Sequence, residues 1–224
     1  MKILLTSTGE LIVKEGYKLL GIPAGKIRIG YITTATKGAS DTKLVDRRRK
    51  QLPEAGYVYE EFDIEGKSKE EILNFFADKN VIHMEGGNTF YLLKAIRGSG
   101  FEEALRTLLD KGLAYVGSSA GAYIMCPDLE VATWSGRDRF GVENLTALNY
   151  VPFNLKVHYE DDMRETIEKK AESLKHPLRI LRDSQGFFVE NDEVRLVGEG
   201  EEVKLELNKE RINDGPNKKT FGIN

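Results

Sequence analysis

The chain has 224 residues, with 40% hydrophobic side chains, enough for one sizeable core and well above a disordered composition. Its 33 basic and 36 acidic residues leave a net charge of −3, which gives no electrostatic footprint for nucleic acid or an anionic membrane. The single cysteine, Cys126, excludes an intrachain disulfide and a thiolate metal cluster.

The N-terminal run Met1-Lys2-Ile3-Leu4-Leu5 breaks at Thr6, too short for a signal peptide, and no later apolar run reaches the ~20 residues of a membrane span. A cytoplasmic protein is expected.

Apolar runs and amphipathic stretches alternate along the first two thirds. Strands are predicted at Ile3–Thr6, Lys26–Thr33, Tyr57–Phe62, Val81–Met84 and Leu113–Val116. Helices are predicted between them over Leu11–Leu20, Asp41–Leu52, Lys69–Ala77, Thr89–Ile96 and Phe101–Lys111. Ser68 with Glu71 forms a capping box that starts the third helix. Within the second, Arg47-Arg48-Arg49-Lys50 is expected to be a solvated basic face. Short buried strands separated by helices imply an α/β fold: a three-layer sandwich around a mostly parallel sheet.

Beyond residue 150 the pattern changes. A strand at Leu155–Tyr159 and a charged helix at Asp162–Leu174 precede four short strands, at Ile180–Arg182, Gly186–Glu190, Glu193–Val197 and Val203–Leu207. These are expected to form an antiparallel edge. One domain over 1–207 is expected, followed by a polar, loosely held tail over 208–224.

Open parallel sheets bind ligands beyond the carboxyl ends of their strands, so the turns there carry the chemistry. Gly117-Ser118-Ser119-Ala120-Gly121 matches G-x-S-x-G directly after a buried strand, which points to Ser119 as a nucleophile on a tight strand-to-helix turn. The amide of Ala120, at the helix start, is a candidate oxyanion donor. Glu85-Gly86-Gly87-Asn88-Thr89 follows another strand, and Gly87 is the candidate second donor. Neither loop matches a phosphate fingerprint.

A serine nucleophile needs a base, and the chain has three histidines. His83 lies inside a predicted central strand and His176 precedes Pro177 in a turn. His158 ends a strand at the carboxyl edge and is the base by elimination. With no second histidine near it, a metal site at His158-Tyr159-Glu160-Asp161-Asp162 is not expected.

Taken together, Gly86-Gly87-Asn88-Thr89-Phe90, Gly117–Ala122 and a histidine ending a strand resemble peptidase family S51, which includes aspartyl dipeptidases (peptidase E) and, more distantly, cyanophycinases. Met125-Cys126-Pro127 and Ala147-Leu148-Asn149 support the resemblance, which covers roughly residues 1–190 in element order. It implies a fold related to the class I glutamine amidotransferases and cofactor-free serine hydrolysis of short peptides with an N-terminal aspartyl residue. Ser119 would be the nucleophile, His158 the base, and Gly87 and Ala120 the oxyanion donors. Asn88 and Arg164 would contact substrate, Arg164 through the aspartyl carboxylate.

Two positions depart from the family pattern. No acid stands near Thr133-Trp134-Ser135-Gly136, where the family's catalytic aspartate is expected, so Asp138 is the nearest candidate, with Glu143 and Asp161 behind it. Glu85 replaces the first of three glycines. Two other readings stay open: an α/β-hydrolase-type esterase, and a catalytically weak relative that binds a peptide or small molecule. The expected partner is a short peptide, with homodimerisation left open.

Overall fold

The computed structural model describes residues 1–191 and 193–206; the expected tail, Leu207 and Asp192 lie outside the described residues. Five strands, β1 (Lys2–Thr6), β2 (Arg28–Ile32), β3 (Val58–Phe62), β4 (Val81–Met84) and β5 (Ala114–Ser118), pair in parallel in the order β3-β2-β4-β5-β1. β8 (Gln185–Glu190) then runs antiparallel to β1, and β9 (Glu193–Gly198) antiparallel to β8, completing a seven-stranded sheet. Each strand is buried on both faces at the centre, which accounts for the continuous apolar runs in the sequence.

Strand residues alternate between two cores. Leu4, Ile29, Tyr31, Val81 and Val116 pack with Ile12 and Leu20 of α1 (Glu10–Leu20) and with Val45 and Leu52 of α2 (Lys43–Glu54). Ile3, Leu5, Ile82, Met84 and Tyr115 face the larger core. It is built from α3 (Lys69–Phe75), α4 (Thr89–Arg97), α5 (Phe101–Asp110), α6 (Ala120–Tyr123) and the segment that follows α6. The Ser68–Glu71 capping box forms as predicted.

The expected C-terminal edge is only half antiparallel. β6 (Asn154–Lys156) and β7 (Leu178–Ile180) pair in parallel as a separate two-stranded ribbon, with α7 (Arg164–Ala171) between them in sequence. Residues 201–206 form no strand. The reason lies in connection length: parallel neighbours need a crossover, and the charged helix supplies it.

This topology brings five chain segments to one place. The C-terminal ends of β4, β5 and β1 lie side by side, with Thr6 opposite Ser118 in register. β8 runs the other way, so its beginning sits at the same edge, where the Ser7 amide donates to the Gln185 carbonyl at 3.2 Å. The β6–β7 ribbon continues across it, with Tyr159 and Leu181 bonded backbone to backbone at 3.2 Å.

Candidate active site

Ser119 sits between β5 and α6 with φ 48° and ψ −104°, a sparsely populated conformation for a residue with a side chain. The turn is this tight because the backbones touch. A Cβ on Gly117 would lie 2.3 Å from the Gly121 carbonyl oxygen, and one on Gly121 would lie 2.2 Å from that of Met84. The two glycines of G-x-S-x-G are therefore packing requirements here. The Ser119 amide donates to the Thr6 carbonyl at 3.0 Å, fixing the turn to the neighbouring strand.

The Ser119 hydroxyl lies 3.0 Å from His158 Nε2. On the other side of the ring, Nδ1 lies 2.6 Å from Asp183 Oδ1. A carboxylate at that distance needs Nδ1 to carry the proton, so Nε2 is left to accept from the serine. Hydrogen bonds from His158 and Ser7 hold the Asp183 carboxyl below its ordinary range, against the opposing effect of partial burial. Ser7 completes the arrangement. Its hydroxyl donates to Asp183 Oδ1 at 2.7 Å and accepts from the His158 amide at 2.8 Å. His158 itself adopts φ 55°, a strained backbone that this amide contact supports.

Asp138, the acid expected from sequence, is not beside the histidine. Its carboxylate accepts from the Phe140 amide at 2.8 Å, closing its own exposed turn at the pocket mouth. Asp183 takes the place because β7 runs parallel to β6, which lays the segment after β7 beside the segment after β6. Neither Asp183 nor Ser7 emerges from sequence reasoning. The available signal was Thr6-Ser7-Thr8-Gly9 after the first strand and Asp183-Ser184 just before a strand, both polar turns at strand ends.

The second glycine loop lies against Ser119: a Cβ on Gly86 would come 3.2 Å from that of Ser119. Gly87 has φ 147°, and a Cβ there would lie 2.3 Å from the Ala35 carbonyl oxygen, so no other residue fits. The amides of Gly87 and Ala120 donate to no acceptor among the described residues. Asn88 lines the pocket, yet its side chain is already occupied. Oδ1 caps α4 by accepting from the Phe90 and Tyr91 amides, and Nδ2 donates to the Asp138 carbonyl at 2.9 Å. Its role in this structure is to tie the glycine loop to the 137–138 segment. Arg164 does not line the pocket; it bonds Glu168 at 3.3 Å and the Lys204 carbonyl at 3.0 Å.

The pocket has a volume of about 390 Å³, in the range that holds a small ligand. Its walls include Ser119, His158, Gly86, Gly87 and the arginines Arg48 and Arg137. Beside it lies a buried polar cluster. Glu85 accepts from the Tyr31 hydroxyl at 2.6 Å and the Gly86 amide at 2.7 Å, and lies 3.8 Å from Arg48 Nε. The Ser118 hydroxyl lies 3.0 Å from Nε2 of the buried His83. Burial lowers the His83 pKa to about 4, so this ring is neutral at pH 7. Among the described residues no group of three His, Cys, Asp or Glu side chains is placed to hold a metal ion. No helix among them is long and apolar enough to cross a membrane.

A parallel sheet with a G-x-S-x-G turn and a glycine loop at adjacent strand ends defines a family, and comparison with known sequences identifies it. The profile of peptidase family S51 matches residues 3–197, and the chain belongs to that family. It is 30% identical over 179 residues to an uncharacterized peptidase of Pasteurella multocida, covering 75% of this chain and 86% of that one. It is 26% identical over 188 residues to peptidase E of a Nostoc species, covering 80% and 69%. Among solved structures, a putative peptidase E of Listeria monocytogenes superposes with a TM-score of 0.78 at 25% identity, covering 89% of this chain and 98% of that one. The chain is a peptidase, and the expected fold class is the one observed.

Proposed function

We propose that this peptidase is of the serine type and hydrolyses short peptides by acyl transfer through Ser119. The observation that carries the reading is the continuous contact Ser119–His158–Asp183, at 3.0 and 2.6 Å. His158 Nε2 takes the hydroxyl proton as Ser119 Oγ bonds to the peptide carbonyl carbon. The anionic Asp183 holds Nδ1–H and stabilises the imidazolium. The carbonyl oxygen, now negative, is received by the amides of Gly87 and Ala120, which have no other acceptor among the described residues. The C–N bond breaks as the imidazolium returns its proton to the leaving amine. A water molecule, deprotonated by the same nitrogen, then releases the acyl group and restores Ser119.

The preferred substrate on this reading carries an N-terminal aspartyl residue, as the resemblance to the aspartyl dipeptidases implies, and the setting is cytoplasmic. Membership of family S51 removes the ground for an α/β-hydrolase-type esterase. The weak-relative reading rests on a missing acid, and the Asp183 carboxylate 2.6 Å from His158 Nδ1 weighs against it.

Two measurements test the proposal. A neutral fluorophosphonate should label the parent at Ser119, and Ser119→Ala should abolish both labelling and turnover of Asp-Leu, leaving the residual ~10³–10⁴-fold catalysis of the oxyanion hole and binding. Undiminished hydrolysis by the variant would refute the serine mechanism.

A further inference from the structure

The basic run in α2 is not a uniformly solvated face. Arg47 and Arg49 are exposed, whereas Arg48 is 3% exposed. It occupies the buried helix stripe with Val45 and Leu52, at the i, i+3 and i+7 positions where apolar side chains belong. Among the described residues only Nη1 has a hydrogen-bond partner, Gln51 Oε1 at 2.9 Å. Nε is buried with no partner, its distance to Glu85 of 3.8 Å being too long for a hydrogen bond, and Nη2 donates to no acceptor among the described residues. Arg48 nevertheless lines the pocket that holds Ser119.

A buried guanidinium with most of its donors unused is costly unless something satisfies it. Glu85 offsets part of the charge, but both of its oxygens already accept, from Tyr31 and from Gly86. The unmet capacity in this pocket is therefore that of a donor, and the group it suits is an anionic acceptor. On the reading above the substrate is a short peptide, whose anionic groups are carboxylates. We propose that Arg48, rather than Arg164, is the specificity-determining residue and grips a substrate carboxylate, from either an acidic side chain or the free C-terminus. The inference rests on the peptidase reading for the identity of the ligand. Arg137 is the rival cation at this site; it is exposed, and it donates to the Gly87 carbonyl at 2.6 Å.

A second variant besides Arg48→Gln is provided by the fold. The guanidinium lies flat against Gly9, where a Cβ would stand 2.6 Å from Nη2 and 2.7 Å from Nε. Gly9 has φ −73°, which alanine adopts without strain, so Gly9→Ala displaces the guanidinium while keeping its charge.

Calorimetric binding in a Ser119→Ala background separates this inference from the mechanism, whose own test is fluorophosphonate labelling of the parent. The ligands are Asp-Leu, Asn-Leu and the C-terminal amide of each. Charge-assisted hydrogen bonds of this kind predict about thirtyfold tighter binding of the carboxylate that Arg48 reads. Preference for both aspartyl ligands over both asparaginyl ones assigns the side chain; preference for both free acids over both amides assigns the C-terminus. Either preference should disappear in Arg48→Gln and in Gly9→Ala and persist in Arg137→Gln. Equal affinity for all four ligands in Ser119→Ala alone overturns the proposal whether or not the other variants fold. A preference that survives Gly9→Ala and Arg48→Gln, or that falls only with Arg137→Gln, overturns it too.

Discussion

The hydroxyl of Ser7 donates to Asp183 at 2.7 Å while accepting the backbone amide of His158 at 2.8 Å, so one side chain just past the end of β1 fixes both Asp183 and His158. His158 and Asp183 lie in the segments that follow β6 and β7, and Ser7 ties those segments to the main sheet where Ser119 is held. The pair is also well exposed, 63% for the Asp183 side chain, so its geometry depends on such a tether more than a buried pair would.

Ser7→Ala should therefore lower kcat by about tenfold to a hundredfold with little change in KM, because the relay loosens while the pocket wall keeps its shape. Steady-state kinetics on Asp-Leu decide it. A variant with unchanged kcat would show that the ribbon is positioned without Ser7.

Asp183→Asn should be far more damaging, in the range of 10³–10⁴ in kcat, since an amide facing Nδ1 favours the wrong tautomer. Asp138→Asn and Glu143→Gln should stay within a few-fold of the parent. Because its carboxyl titrates below the ordinary range, Asp183 stays ionised throughout neutral and mildly acidic solution. No inflection of kcat/KM above about pH 4 should disappear in Asp183→Asn as a carboxylate titration. A larger loss in Asp138→Asn than in Asp183→Asn would reverse the assignment.

Why Ser119 and His158 were legible and Asp183 was not comes down to range. Ser119 announces itself locally: a buried strand, two obligatory glycines and a helix start lie within a few residues. His158 followed from having only three histidines to choose among. Asp183 depends on β7 lying parallel to β6, and nothing in Leu178-Arg179-Ile180 says which strand it will join. Arg48 departs from the expected solvated face for another reason. In a run of four basic residues the composition suggests solvent, but helical period puts one member on the stripe with Val45 and Leu52.

Glu85→Gln tests the buried cluster independently of catalysis. The amide keeps an acceptor for the Gly86 N–H but leaves Arg48 without a counter-charge. Destabilisation of about 1–3 kcal/mol is expected in urea at pH 7, below the 3–5 kcal/mol of a closely bonded buried pair because the contact is 3.8 Å. A double-mutant cycle with Arg48→Gln should recover part of that loss. Additive effects would mean that the two charges do not sense each other.

His83 gives the stability a pH dependence whose sign can be worked out. The ring is fully buried, stacked at a tilt 5.1 Å from Tyr31, and its Nδ1 has no hydrogen-bond partner among the described residues, so burial disfavours the charged form. Its folded pKa of about 4 lies below the ordinary 6.5. Between those values the unfolded chain binds a proton that the native one refuses, so stability is complete above pH 6.5 and falls as pH drops toward 4. At 1.36 kcal/mol per unit the loss from this residue approaches about 3 kcal/mol. Other groups contribute to acid unfolding, Asp183 among them, so the difference between parent and variant is the informative quantity. His83→Gln keeps a hydrogen-bonding group, able to donate or accept, for the Ser118 hydroxyl without the titration. Its urea midpoint should be lower than the parent's at pH 7 and draw closer to it as the pH falls to 4.5. If the two midpoints stay a constant distance apart over that range, His83 does not titrate between its folded and unfolded values as burial requires.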